Sequence, residues 1–186
     1  MNKIRVSKSC VGLQEVRVLR RVIMEVGYLG MGQEVQSFEN ELQEFLGGKS
    51  DVVCVNSGTA ALHLALMSVI KPGDEVLVPS FTFVASFQAI TAAGAKPVAC
   101  DINPQTLIID LEDAKKRLTK KTRAIIPVHF AGSVGNLKEV YSFAKKNKLR
   151  VIEDAAHAFG STYQGQKVGN LISKKVSLSV PAKIAA

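Results

Sequence analysis

The 186-residue sequence predicts an α/β fold built on a mainly parallel sheet, and three observations predict it. Short β-branched runs alternate with helical patterns of similar length, the rhythm of successive βαβ units. The runs end in small, polar or turn-forming residues, which puts such residues where ligands sit in these sheets, at the C-terminal strand ends. The connections are long enough for right-handed crossovers, which cover the sheet with helices on both faces.

Each element has its own signal. Residues 12–26 carry apolar side chains at 13, 16, 19, 22, 23 and 26, a helical spacing broken by Gly27, Gly30 and Gly32. A second helix is predicted over 33–46, closed by Gly47-Gly48. Val52 to Val55 read as a buried strand, Asn56-Ser57-Gly58-Thr59 as the turn that ends it, and Ala60 to Leu66 as a helix apolar on nearly every side. Lys71-Pro72-Gly73-Asp74 turns into a short strand from Glu75 to Val78. A helix over 82–93 stops at Gly94, and a strand follows from Lys96 to Cys100. Asp110 opens a helix to about Leu118, with Asp113 placed as in a capping box. A strand from Arg123 to Val128, a helix over 136–147 and a strand from Leu149 to Glu153 complete the series.

Composition removes several function classes. No stretch approaches the ~18 uninterrupted apolar residues of a membrane span. The N-terminus MNKIRVSKSCVG lacks the apolar core of a signal peptide, so the expected address is the cytoplasm. Cys10, Cys54 and Cys100 fit neither a disulfide framework nor a metal knuckle, and no metal site is predicted. The net charge of +8 lies largely at helix C-terminal ends, as in Lys115, Lys116, Lys145 and Lys146, where cations complement the helix dipole. With no interleaved aromatics, this is not a nucleic-acid footprint. Two phosphate-binding look-alikes also fail. The glycines of 27–32 fall as GxxGxG after a helix, and Gly48-Lys49-Ser50 has Gln43 where a P-loop needs its first glycine.

The residues at the strand ends point to a site. The strand–turn–helix of Val52–Leu66 offers Ser57, Gly58 and Thr59 at a helix N-terminus, where backbone N–H groups and the helix dipole favour a phosphate. The same residues also suit a plain helix cap. Phe81 and Phe83 follow the next strand, and Asp154 and His157 follow the last. A phosphate cradle, a ring and a carboxylate on one sheet edge suit a phosphorylated, protonatable heterocycle such as pyridoxal phosphate.

The blocks SGTAALHLAL (57–66), GDEVLVPSFTFVAS (73–86), PVHFAG (127–132) and VIEDAAHAFGSTYQGQKVGN (151–170) resemble, in order and spacing, the DegT/DnrJ/StrS-type sugar aminotransferases. That resemblance implies an aspartate-aminotransferase-like (fold type I) three-layer αβα large domain, here truncated. It implies that Ser57, Gly58 and Thr59 hold the phosphate of pyridoxal 5′-phosphate, that Phe83 stacks on its ring, that Asp154 pairs with the ring nitrogen and that His157 sits by the ring hydroxyl. Tyr28, Gly30 and Ser86 would face the substrate. The reaction implied is transfer of an amino group from glutamate to a nucleotide-linked keto-sugar, by a homodimer at full length. A dehydratase relative and a non-catalytic fragment are the alternatives.

The resemblance also divides the chain. Residues 1–32 match a helix and substrate-loop segment, 33–170 part of the major domain, and 171–186 a divergent tail, with the C-terminal small domain absent. In the tail LISKKVSLSVPAKIAA, Lys183 is the counterpart of the Schiff-base lysine in rough position only, one residue short of its spacing from the serines. Lys174 and Lys175 come too early. Without a placed lysine, the expectation is a chain that keeps the cofactor cradle and lacks transamination.

Overall fold

The computed structural model describes residues 9–47 and 51–169, together with the backbone of residues 183–184. Four parallel strands form its centre: β1 (Glu75–Pro79), β2 (Lys96–Cys100), β3 (Thr122–Ile125) and β4 (Arg150–Val151), in the order β2-β1-β3-β4. The register runs from Glu75↔Lys96 to Pro79↔Cys100 on one side of β1 and sets Leu77 beside Ile125 on the other.

Alternate strand residues point to opposite faces, so a sheet covered on both sides needs near-continuous apolar strands. Leu77, Ile125 and Val151 enter one core, with Ala114 of α5 (Leu111–Lys116) and Leu137, Val140 and Ala144 of α6 (Leu137–Lys146). Val76, Val78, Ala124, Ile126 and Ile152 enter the other, with Leu62 and Leu66 of α3 (Gly58–Met67) and Ala89 and Ile90 of α4 (Val84–Ala92). Each fully buried Leu or Ile contributes about 1.5–3 kcal/mol, against about 0.5–1.5 kcal/mol for an ordinary hydrogen bond. Packing therefore outweighs any single polar contact in holding the sheet between its helices. The result is three layers: helices, sheet, helices.

The expected strand at Val52–Val55 does not form. The segment is irregular, Val53 is 73% exposed, and no strand pairs with it among the described residues. Glu39 Oε1 accepts the Cys54 N–H at 2.7 Å in place of a sheet neighbour. A β-branched run becomes a strand only where an edge receives it. For a related reason α3 buries Leu62, Ala65 and Leu66 while Leu64 and Met67 stay exposed. The expected strand from Leu149 to Glu153 is two short ones, β4 and β5 (Glu153–Asp154). β5 pairs in parallel with β8 (Lys183–Ile184), Glu153 opposite Lys183.

At the N-terminal side, α1 (Leu13–Arg21) continues into a π-helical turn, Val22–Val26, that ends at Gly27 with φ +70°. α1 contains no buried residue, and its Arg21 reaches Glu34 of α2 (Gln33–Leu46) at 2.6 Å across an exposed pair. The C-terminal end of α2 is held more firmly. The Phe45 ring stacks on Phe159 at 5.2 Å, and Lys167 Nζ sits 3.4 Å from the Phe45 ring centroid while donating to the Phe45 carbonyl at 2.7 Å. Lys167 belongs to a small hairpin of β6 (Thr162–Tyr163) and β7 (Gln166–Lys167). Gly169 closes that contact: a Cβ there would lie 2.6 Å from Leu46 Cδ2. Lys174, Lys175 and the rest of the tail apart from 183–184 lie outside the described residues. Among the described residues no helix is long and apolar enough to cross a membrane.

Candidate active site

A cavity of about 210 Å³ opens at the C-terminal edge of the sheet. Gly58, Thr59 and Leu62 of α3 form one wall, and Thr82, Phe83 and Ala85 at the start of α4 form another. Val128, His129 and Phe130 after β3 and Asp154, Ala156 and His157 from β5 onward complete it. Of the residues singled out in sequence, Gly58, Thr59, Phe83, Asp154 and His157 therefore meet in one place.

Ser57 is the N-cap of α3, with extended backbone, and its Oγ accepts the Ala60 N–H at 3.2 Å. The cap is real, and it leaves the anion-binding role to its neighbours. Gly58 and Thr59 are the first two helical residues, whose N–H groups have no acceptor within the helix. They line the cavity with the positive end of the α3 dipole behind them. An anion fits there.

Asp154 is 7% exposed and held on both oxygens. Ser86 donates its hydroxyl to Oδ2 at 2.9 Å, and the Ala156 N–H reaches Oδ1 at 3.3 Å. The Asp154 backbone is fixed as well, its N–H donating to the Pro127 carbonyl at 2.9 Å and its carbonyl accepting the His129 N–H at 3.0 Å. A carboxylate so held suits a cationic or N–H-bearing partner in the cavity.

The aromatic groups have distinct settings. Phe83 is the N-cap residue of α4 and is 73% exposed, an uncovered ring face at the cavity. Phe130 packs against Phe81 at 4.6 Å and meets the His157 ring edge-on at 5.6 Å. His157 Nδ1 accepts the Ala131 N–H at 3.4 Å, so the neutral ring carries its proton on Nε2 and offers a single donor.

Glu153, the residue before Asp154, turns to the opposite face of the sheet. Its Oε2 lies 2.8 Å from His129 Nε2, and Tyr141 of α6 donates its hydroxyl to Oε1. His129 and Glu153 are fully buried, and among the described residues His129 Nδ1 has no hydrogen-bond partner. Burial first, then the Glu153 charge, pushes the Tyr141 phenol well above its ordinary range, so it stays protonated and donating. β5 thus carries Glu153 toward α6 and the next residue, Asp154, toward α4.

The remaining candidates take other places. Ser86 is fully buried, and its hydroxyl is committed to Asp154. Tyr28 and Gly30 do not line the cavity, because Tyr28 folds back over its own loop and leaves room there only for Gly30 and Gly32. The Lys183 backbone lies beside Glu153, and its side chain is outside the description. Thr82, His129 and Phe130 are cavity residues that the sequence reading did not assign, although PSFTF and PVHFAG contain them.

This three-layer α/β arrangement, with a helix N-terminus, an uncovered ring and a buried carboxylate at one edge, is similar to that of solved aminotransferases. DesV from S. venezuelae, determined in complex with a ketimine intermediate, is similar at 37% identity and TM-score 0.75 over 84% of this chain and 43% of that one. NtdA from Bacillus subtilis, with bound cofactor PMP, is similar at 34% identity and TM-score 0.76 over 83% and 36%. The chain belongs to the DegT/DnrJ/EryC1/StrS aminotransferase family, whose model matches residues 12–179. GDP-perosamine synthase of Caulobacter vibrioides is 42% identical over 142 residues, which are 76% of this chain and 38% of that protein. The chain therefore spans about two fifths of the length of these relatives.

Proposed function

We propose that the chain is the cofactor-binding part of a pyridoxal 5′-phosphate-dependent sugar aminotransferase that transfers an amino group from glutamate to a nucleotide-linked keto-sugar. The observation that carries this is the convergence of the α3 N-terminus, the Phe83 ring and the buried Asp154 carboxylate in one cavity. The donor set fits the group. Gly58 and Thr59 would bind the phosphate, and Phe83 would cover one face of the ring. Asp154 would hold a proton at the ring nitrogen, and an anion there raises that nitrogen's pKa. His157 would donate from Nε2 to the ring oxygen. When bound, pyridoxal phosphate supplies a ring that accepts electrons from a substrate carbon. Lys183 is the candidate amine of the site, supported by the pairing of its backbone with Glu153 beside Asp154.

The sugar-nucleotide substrate is supported by the similarity to GDP-perosamine synthase. Tyr28 and Gly30 are proposed for that side, supported by the exposure of the Tyr28 ring. A cytoplasmic homodimer belongs to the same reading, and the exposed Val16, Leu19 and Ile23 of the N-terminal helix support the association.

Thermal unfolding with added pyridoxal phosphate tests the site. At a hundredfold excess over Kd, binding to the folded chain adds about 2.7 kcal/mol, or ~5–10 °C for a chain of this size. Asp154→Asn should remove most of that rise. No stabilisation at millimolar pyridoxal phosphate would overturn the proposal.

A further inference from the structure

We propose that Ser86 is a positioning residue for Asp154, set in turn by Thr82. The inference rests on the cofactor-site reading above and deepens it. Ser86 Oγ lies 2.9 Å from Asp154 Oδ2 and 2.8 Å from Thr82 Oγ1. A serine hydroxyl has one hydrogen, and a carboxylate only accepts. The Ser86 hydrogen therefore goes to Asp154, and Thr82 is the donor in the second pair. The chain of bonds has one direction, Thr82 to Ser86 to Asp154.

This direction has a consequence at the cavity. With Oδ2 held by the Ser86 hydroxyl and Oδ1 by the Ala156 backbone N–H, the carboxylate plane is fixed from both oxygens, while the Asp154 backbone is fixed by Pro127 and His129. An ionised carboxylate has about four acceptor positions. Two are taken, and those left are held in one direction. Ser86 itself is fully buried and does not line the cavity, so it acts through Asp154. Thr82 and Ser86 flank Phe83, the N-cap of α4, and the Ser86 N–H donates to the Phe83 carbonyl at 3.1 Å. The stretch 82–86 therefore places the ring that would stack on the cofactor and orients the carboxylate that would meet its nitrogen. One rigid turn sets both contacts.

The test compares two probes on the full chain by calorimetry. One is pyridoxamine 5′-phosphate, which binds without a covalent bond to the protein. The other is its analogue with a carbon in place of the ring nitrogen. The ratio of their affinities reads the Asp154 contact and cancels the phosphate and stacking contacts. Ser86→Ala should weaken pyridoxamine phosphate about tenfold and leave the analogue nearly unchanged, the scale of one lost hydrogen bond. Thr82→Val, at a half-buried site and close in shape, should shift the ratio in the same direction by less. Equal losses for the two probes, or no loss, in Ser86→Ala would overturn the positioning role while leaving the cofactor site standing. A native chain that binds neither probe, or binds them equally, would overturn the cofactor-site reading and this inference with it.

Discussion

Replacing Tyr141 with Phe isolates the polar cluster behind the active site. The ring keeps its packing between α6 and the sheet, and only the hydroxyl that donates to the buried Glu153 carboxylate is lost. A hydrogen bond to a charged group is worth about 1.5–3 kcal/mol, twice an ordinary one. A middle figure of about 2 kcal/mol corresponds to a drop of ~4–8 °C in Tm, or about 1 M in the urea midpoint with a slope near 2 kcal/mol per M. The pH dependence gives a second, independent signature. The folded-state phenol lies above its ordinary value near 10, so its contribution is fully present below about pH 10. Above that pH the unfolded chain releases the proton and the folded chain keeps it, so stability falls as pH rises. Tyr141→Phe should remove that part of the alkaline loss. Urea titrations at pH 8 and pH 10.5 decide the matter. A midpoint shift below about 0.3 M at pH 8, or the same alkaline loss in the variant, would refute the role given to the hydroxyl.

Three further outcomes follow from the geometry. Gly135→Ala should destabilise the fold by about 1–3 kcal/mol, since φ is +54° and the new Cβ would lie 2.1 Å from Ile108 Cδ1; an unchanged Tm would contradict this. Ser57→Ala should cost about 1 kcal/mol through loss of the α3 cap, with Ser57→Thr retaining most of it, as read by urea denaturation. Thiol labelling of the native chain at pH 8 should modify the exposed Cys10 quickly and leave the buried Cys100 until unfolding. Burial, then the Asp113 charge, pushes the Cys100 thiol up to about 11, so its contribution to stability is lost between roughly pH 9 and 11. Since Cys54 is partly exposed, only rapid labelling of all three cysteines in the folded protein would contradict that placement.

The parts of this molecule that sequence could reveal are those governed by short-range patterns. The helix at Gln33–Leu46 and the strand at Lys96–Cys100 have the predicted bounds, because period and glycine punctuation are local properties. Asp110 caps its helix through the Glu112 and Asp113 N–H groups as its position suggests, yet Asp113 does not close the capping box. Its carboxylate accepts the Asp101 N–H and pairs with Arg117 instead, a choice made by the loop packed beside it. Val52–Val55 shows the opposite limit. Its residues favour a strand, but strand formation is a property of two segments, and the chain supplies only one there among the described residues.

The site divides along the same line. Asp154 was legible because a carboxylate after an apolar run must find a partner. The burial of Ser86 is not legible, because nothing in the spacing of PSFTFVAS tells which side of α4 meets β5. Tyr141, Glu153 and His129 lie 12 and 24 residues apart along the chain, and only the packing of α6 on the sheet joins them. No local signal marks such a cluster.

The two carboxylates of β5 have a consequence for how this region can change over time. Glu153 and Asp154 are neighbours in sequence and serve opposite sides of the sheet. Gain or loss of a single residue between Leu149 and Glu153 would turn the strand over and exchange them. The carboxylate that meets Ser86 would then point at Tyr141, and the longer Glu153 side chain would enter the cavity. The apolar positions here, such as Val151 and Ile152, tolerate exchange among Val, Ile and Leu at small cost, about 1 kcal/mol each. Their number has no such latitude. This short run should therefore drift in composition and stay constant in length, whereas the exposed loop at 103–107 is free to vary in both.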